Sequence, residues 1–114
     1  MKFDFATLAT GIERDWPVLV DVPQDGGGTM EQEFSVRFRL VDQEELEAQG
    51  PGVKGQKAAL RLVIAGLGAD EEQAFTPAFL EQLLAPPYMR NALNLAYTKF
   101  AHGVAAKNAS TPPA

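Results

Sequence analysis

Two stretches of alternating residues on either side of a glycine run constrain this chain more than any other feature. Trp16, Val18, Val20 and Val22 point one way, while Pro17, Leu19, Asp21 and Pro23 point the other. Further on, Phe34, Val36, Phe38 and Leu40 share a face opposite Glu33, Ser35, Arg37 and Arg39. Successive side chains leave an extended backbone on opposite sides, so both stretches read as half-buried strands. Between them, Gln24-Asp25-Gly26-Gly27-Gly28 supplies glycines that reach positive φ without steric cost. The pattern predicts an antiparallel pair with a loop longer than the tightest hairpin. Pro17 and Pro23 cannot donate ladder hydrogen bonds, which puts the first strand at an edge.

The period then changes. Asp42 and Glu45 have capping-box spacing and predict a short helix through Ala48. Gln49 to Gly55 reads as a loop, with three glycines and a proline in seven residues. Leu60, Val63, Ile64 and Leu67 then fall on one helical face, ended by Gly66 and Gly68. Thr76-Pro77 is a helix start, with threonine as cap and proline at the first helical position. Phe75 and Leu80 occupy the staple positions around it, and Pro86-Pro87 stops it. A last helix runs from about Tyr88 to His102 with a stripe of Met89, Ala92, Leu93, Ala96, Tyr97 and Phe100. Gly103 caps its C-terminus. The expected fold class is therefore α+β: an N-terminal antiparallel β-hairpin or small sheet, then three to four helices packed on one face. Residues 1–104 are expected to form a single domain, and residues 105–114 a disordered tail.

Composition narrows the function. A chain of 114 residues makes one domain, and 46% hydrophobic against 22% charged residues is a globular balance. No cysteine is present, so disulfides and thiolate chemistry are excluded. No apolar run spans a bilayer, and the opening residues lack the apolar core of a signal peptide. The net charge of −5 argues against a nucleic-acid binder, which needs excess cations to displace counterions.

Chemistry-bearing motifs are sparse. His102 is the single histidine, and it reads as a last-turn cation favourable with the helix dipole. Gly26-Gly27-Gly28 is followed by Thr29-Met30, not by the Lys-Ser/Thr of a phosphate loop. Asp70-Glu71-Glu72 lacks the alternation and central glycine of a calcium loop. No catalytic residue, metal ligand or cofactor is expected. Two groups remain as candidate partner-binding residues. Arg37 and Arg39 are either an ordinary polar strand face or a docking surface for acidic groups. Met89, Leu93, Tyr97 and Phe100 are either core or a grip for a partner helix.

The order of segments resembles the phage tail assembly chaperones of siphovirus-like phages and prophages. Trp16-Pro-Val-Leu-Val-Asp-Val-Pro23, Asp25-Gly26-Gly27 and Phe34-Ser-Val-Arg-Phe-Arg39 carry the first part of the likeness. Leu62-Val-Ile-Ala-Gly66, Phe75-Thr76-Pro77, Leu83-Leu-Ala-Pro-Pro-Tyr88 and Ala92-Leu-Asn-Leu-Ala-Tyr97 carry the rest. The likeness covers roughly residues 14–103, and Leu67 stands near where the family often has a tryptophan. It implies a non-enzymatic factor of the host cytoplasm, not retained in the mature virion. Such a factor coats the tape measure protein and delivers tail tube protein, the latter through an extended product of programmed frameshifting. Ala106-Lys107-Asn108 can be encoded as GCA AAA AAC, which holds a slippery heptamer. A homo-oligomer is expected, with no nucleic-acid or membrane partner. The competing readings are a small structural tail or head–tail joining protein, a bacterial secretion-type chaperone and a small-molecule enzyme.

Overall fold

The computed structural model describes residues 2–106. Its elements in order are α1 (Ala6–Thr10), β1 (Glu13–Pro23), β2 (Thr29–Arg39), α2 (Gln43–Glu47), α3 (Gly52–Val63), β3 (Ile64–Leu67), α4 (Pro77–Leu84) and α5 (Pro87–Ala101). The fold is α+β, with a three-stranded antiparallel sheet in the order β1-β2-β3 and five helices among the described residues. The expected tail from 105 onward, and the Lys107-Asn108 part of the frameshift reading, lie outside the described residues except for Ala105 and Ala106.

The hairpin forms as its alternation dictates. Trp16 pairs with Val36 and Val18 with Phe34, so the two apolar faces coincide. Val18, Val20, Val36 and Phe38 are buried, all on that face. The turn is closed by the Gln24 N–H donating to the Gly28 carbonyl at 2.9 Å. Gly26 and Gly27 stand at φ +90° and +97°, where a side chain would be strained.

The prolines of β1 follow a rule of position. The Ser35 carbonyl accepts from Gly68 and its N–H donates to Glu71, so the polar backbone of Ser35 turns away from β1. Its cross-strand neighbour Pro17 therefore turns its own nitrogen to the open edge, as does Pro23 six residues on. Neither proline removes a bond from the ladder, and both blunt the edge.

The segment after α3 departs from the sequence expectation. The reading of one helix through Leu67 is corrected: α3 ends at Val63, and Ile64–Leu67 is a strand paired with Val36 to Phe38. A short apolar run satisfies either period, and the free edge of β2 offers it ladder bonds. The loop expected over residues 49–55 is also shorter, because α3 begins at Gly52. Asp42 is the N-cap of α2, but its side chain makes no capping bond. Helix α1 has no counterpart in the sequence reading.

The later helices follow their signals. Thr76 Oγ1 accepts from the Phe79 N–H at 3.1 Å, with Pro77 in the first turn. Phe75 and Leu80 both pack against the core. Helix α5 ends in a Schellman closure: Val104 N–H donates to Lys99 at 2.8 Å, and Gly103 N–H to Phe100 at 3.3 Å, with Gly103 at φ +71°. The side chain of α5 that the sequence reading passed over is Arg90, only 8% exposed. Its guanidinium donates to the carbonyls of Leu84 at 2.9 Å and Ala85 at 2.6 Å, and to Gln56 Oε1 at 3.0 Å. It thus ties the negative end of α4 to α5 and α3.

Arg90→Met should cost about 3 kcal/mol, because it strands buried carbonyls that the guanidinium now satisfies. Urea unfolding should show a lower midpoint at unchanged slope, partly restored in Arg90→Lys. An unchanged midpoint in Arg90→Met would refute this role.

Candidate functional site

Arg37 and Arg39 lie on the sheet face opposite the core, each across from a carboxylate. Asp15 is the register partner of Arg37, and Glu13 that of Arg39. Arg37 meets Asp15 Oδ1 at 3.0 Å and Glu13 Oε1 at 3.4 Å, while Arg39 meets Glu13 Oε2 at 3.3 Å and donates to the Leu62 carbonyl at 3.1 Å. The four side chains are about 36–47% exposed, so each pair adds little to stability by itself. The sequence held the signal: acids on one strand and bases on the other, equidistant from the turn.

Asp15 does more than pair. Its second oxygen accepts the Ala69 N–H at 2.9 Å, which pins the turn after β3 to the sheet. The same turn is held by Glu71, whose carboxylate accepts the Ser35 N–H at 2.6 Å. That gives a structural task to one of the three consecutive acids at 70–72. The Ala69 N–H first, then Arg37, hold Asp15 below the ordinary aspartate range. Glu81 is likewise held low by Arg61, which grips it with two bonds of 2.7 and 2.9 Å between α3 and α4.

The second candidate group is placed differently. Leu93, Tyr97 and Phe100 are buried in the chain's own core, and Met89 is half-buried against it. Phe38 meets Tyr97 at 5.6 Å and stacks on Phe100 at 5.7 Å, while Trp16 meets Phe100 edge-on at 5.5 Å. Tyr97 adds a polar clip, its hydroxyl accepting from the Val41 N–H at 3.1 Å. Trp16 Nε1 is buried with no hydrogen-bond partner among the described residues.

The surface therefore offers other apolar groups. Phe3, Phe5, Leu8, Met30, Leu95 and Val104 are each at least half exposed. Met30 pairs with the half-buried Val22 near the hairpin tip, on the same face as the buried Val18 and Val36. Around this tip, residues 21–33 carry Asp21, Asp25, Glu31 and Glu33 and no lysine or arginine. Leu95 lines a shallow recess of about 40 Å³ with Trp16, Pro17 and Leu19.

A wider cleft of about 440 Å³ opens between α5 and the β2–α2 linker, lined by Leu40, Val41, Leu46, Ala59, Tyr97 and Ala101, with Asp42 and His102 among its polar groups. His102 Nδ1 lies 2.9 Å from the Thr98 carbonyl, and Thr98 Oγ1 donates to the Asn94 carbonyl at 2.9 Å. Both side chains thus meet carbonyls in the last turns of their own helix. Among the described residues, no group of three metal-ligating side chains gathers, and no helix is long and apolar enough to cross a membrane.

No family model, curated protein or solved structure matches this chain.

The lowered carboxylates set a direction for acid stability. A carboxylate held low in the folded state stabilises it above the unfolded value of about 4 and loses that contribution as pH falls through the folded value. Melting temperature should therefore drop as pH falls below about 4. Asp15→Asn should lower the melting temperature at neutral pH and shrink the acid-induced drop. Parallel pH profiles of the two proteins would show Asp15 to be a bystander.

Proposed function

We propose that this chain is a non-enzymatic tail assembly chaperone of a siphovirus-like phage or prophage. It binds and solubilises the tape measure protein in the host cytoplasm and assists tail tube polymerisation. In this reading the helices pack on one sheet face and leave the charged face, with Arg37 and Arg39, free for a neighbouring subunit or client.

One observation carries the reading: the domain closes its core with α5 and still leaves large apolar side chains at its surface. Met30 beside Val22, and Leu95 beside Trp16 and Leu19, are distributed over the outside of a domain of this size. A contiguous apolar patch is the mark of an interaction surface, and in this reading each of these groups, with its apolar neighbours, forms one. A helix with an exposed apolar stripe is the client that such a surface fits. The acids around the hairpin tip favour solubility while a client is held. Many copies along one long client provide avidity from weak individual contacts.

Co-expression with the tape measure protein of the same phage should raise that protein's soluble yield, and the two should co-purify. Substituting Met30 and Leu95 by serine should reduce both effects while leaving the thermal transition in place. Unchanged client solubility without co-purification would count against the proposal. Recovery of the chain in purified particles would favour a structural tail or head–tail joining protein instead.

A further inference from the structure

Strand β2 runs well past the short strand that covers its outer side. Its neighbour β3 pairs only with Val36 to Phe38. Beyond that contact, Thr29–Glu33 is exposed throughout. The Ser35 backbone turns away from β1, and backbone direction repeats every two residues along an antiparallel strand. Thr29 and Glu31 therefore aim their N–H and C=O groups to the same side, in the line that β3 leaves empty. Among the described residues, no backbone bond reaches either of them from outside the hairpin. Pro17 and Pro23 blunt the rim of β1, but residues 29–34 hold no proline.

This open stretch is charged one way. Asp21 and Glu31 are direct cross-strand partners, a juxtaposition of like charges that weakens a hairpin. Among the described residues, neither carboxylate has an ion-pair partner. The turn after β3 adds the exposed Asp70 and Glu72 on either side of Glu71, whose carboxylate takes the Ser35 N–H. Arg37, the next cation along β2, is already held by Asp15 and Glu13.

We propose that the open edge of β2 takes an extended segment of another protein, alternating Lys or Arg with apolar residues. The segment lies antiparallel to β2 and continues the line of β3. Main-chain bonds supply the affinity, and the two faces of the strand set the alternation. Side chains opposite Glu31 fall on the acidic face, where a cation also relieves the repulsion between Glu31 and Asp21. Their neighbours fall on the other face, beside Met30 and Phe34. A second copy is a poor occupant, because edge-to-edge pairing of two such strands sets acid against acid. The proposal stands apart from the tape measure reading, since a helical client has no free backbone to offer an edge.

A dye-labelled peptide alternating lysine and valine, titrated against the full chain by anisotropy, should bind and should weaken as salt rises. Hydrogen exchange at the Thr29 and Glu31 amides should slow when it binds. Glu31→Gln should raise the melting temperature and weaken the peptide about threefold. Glu31→Pro also removes an outward N–H without touching the ladder to β1, and should weaken it about fivefold more. Equal binding by the two variants would overturn the proposal. So would equal binding of a peptide with its lysines and valines in separate blocks, or no binding at millimolar peptide. Exchange at Thr29 and Glu31 that slows with protein concentration alone would assign the edge to a second copy and overturn it too.

Discussion

Phe38 is the point on which the fold turns. It is fully buried at the end of the central strand, and its ring meets both Tyr97 and Phe100 of the last helix. Phe100 in turn meets Trp16 on the neighbouring strand. Four aromatic rings thus weld the final helix to a hairpin formed some sixty residues earlier in the chain. Large rings dominate the burial energy of a small core, and each well-oriented pair adds about 0.5–1.5 kcal/mol. A two-stranded hairpin is marginal by itself, so β1 and β2 owe their independent stability to this contact and to β3.

That requirement decides what the surface can offer. A stripe that must close the sheet cannot also grip a partner, which is why Leu93, Tyr97 and Phe100 are inside. The large apolar side chains left at the surface are ones the core has no use for: those of the arm before β1, the far end of the hairpin and the outer flank of α5. On the opposite sheet face, charge does the organising. Asp15 joins β1 to β2 through Arg37 and joins the sheet to the turn after β3 through Ala69. The face that reads as a row of cations is a lattice of alternating signs.

Local signals made much of this legible. Alternation placed both strands and their inward faces, proline spacing marked the edge, and Thr76-Pro77 and Gly103 set two helix ends. What escaped was non-local. Ile64–Leu67 is too short for its period to be read, and only the free edge of β2 makes it a strand. Arg90 lies on the inward face of α5, between Met89 and Leu93, yet its partners are carbonyls at the end of another helix. No side-chain pattern records those acceptors. Of the candidate site, Arg37 and Arg39 were named without their cross-strand carboxylates, whose equal distance from the turn becomes a pairing only once the register of the hairpin is known. The exposed arm went unnoticed because its residues have no strong period.

The two prolines of β1 have a consequence for how this sheet can change. Each sits where its missing hydrogen costs the native ladder nothing, yet each interrupts the row of donors along the outer rim. A one-base change from proline to serine or leucine at either place would leave the monomer intact while restoring a docking rail for any extended peptide. The margin is thus defined by what it refuses, and a silent-looking replacement there would surface as clumping at high expression.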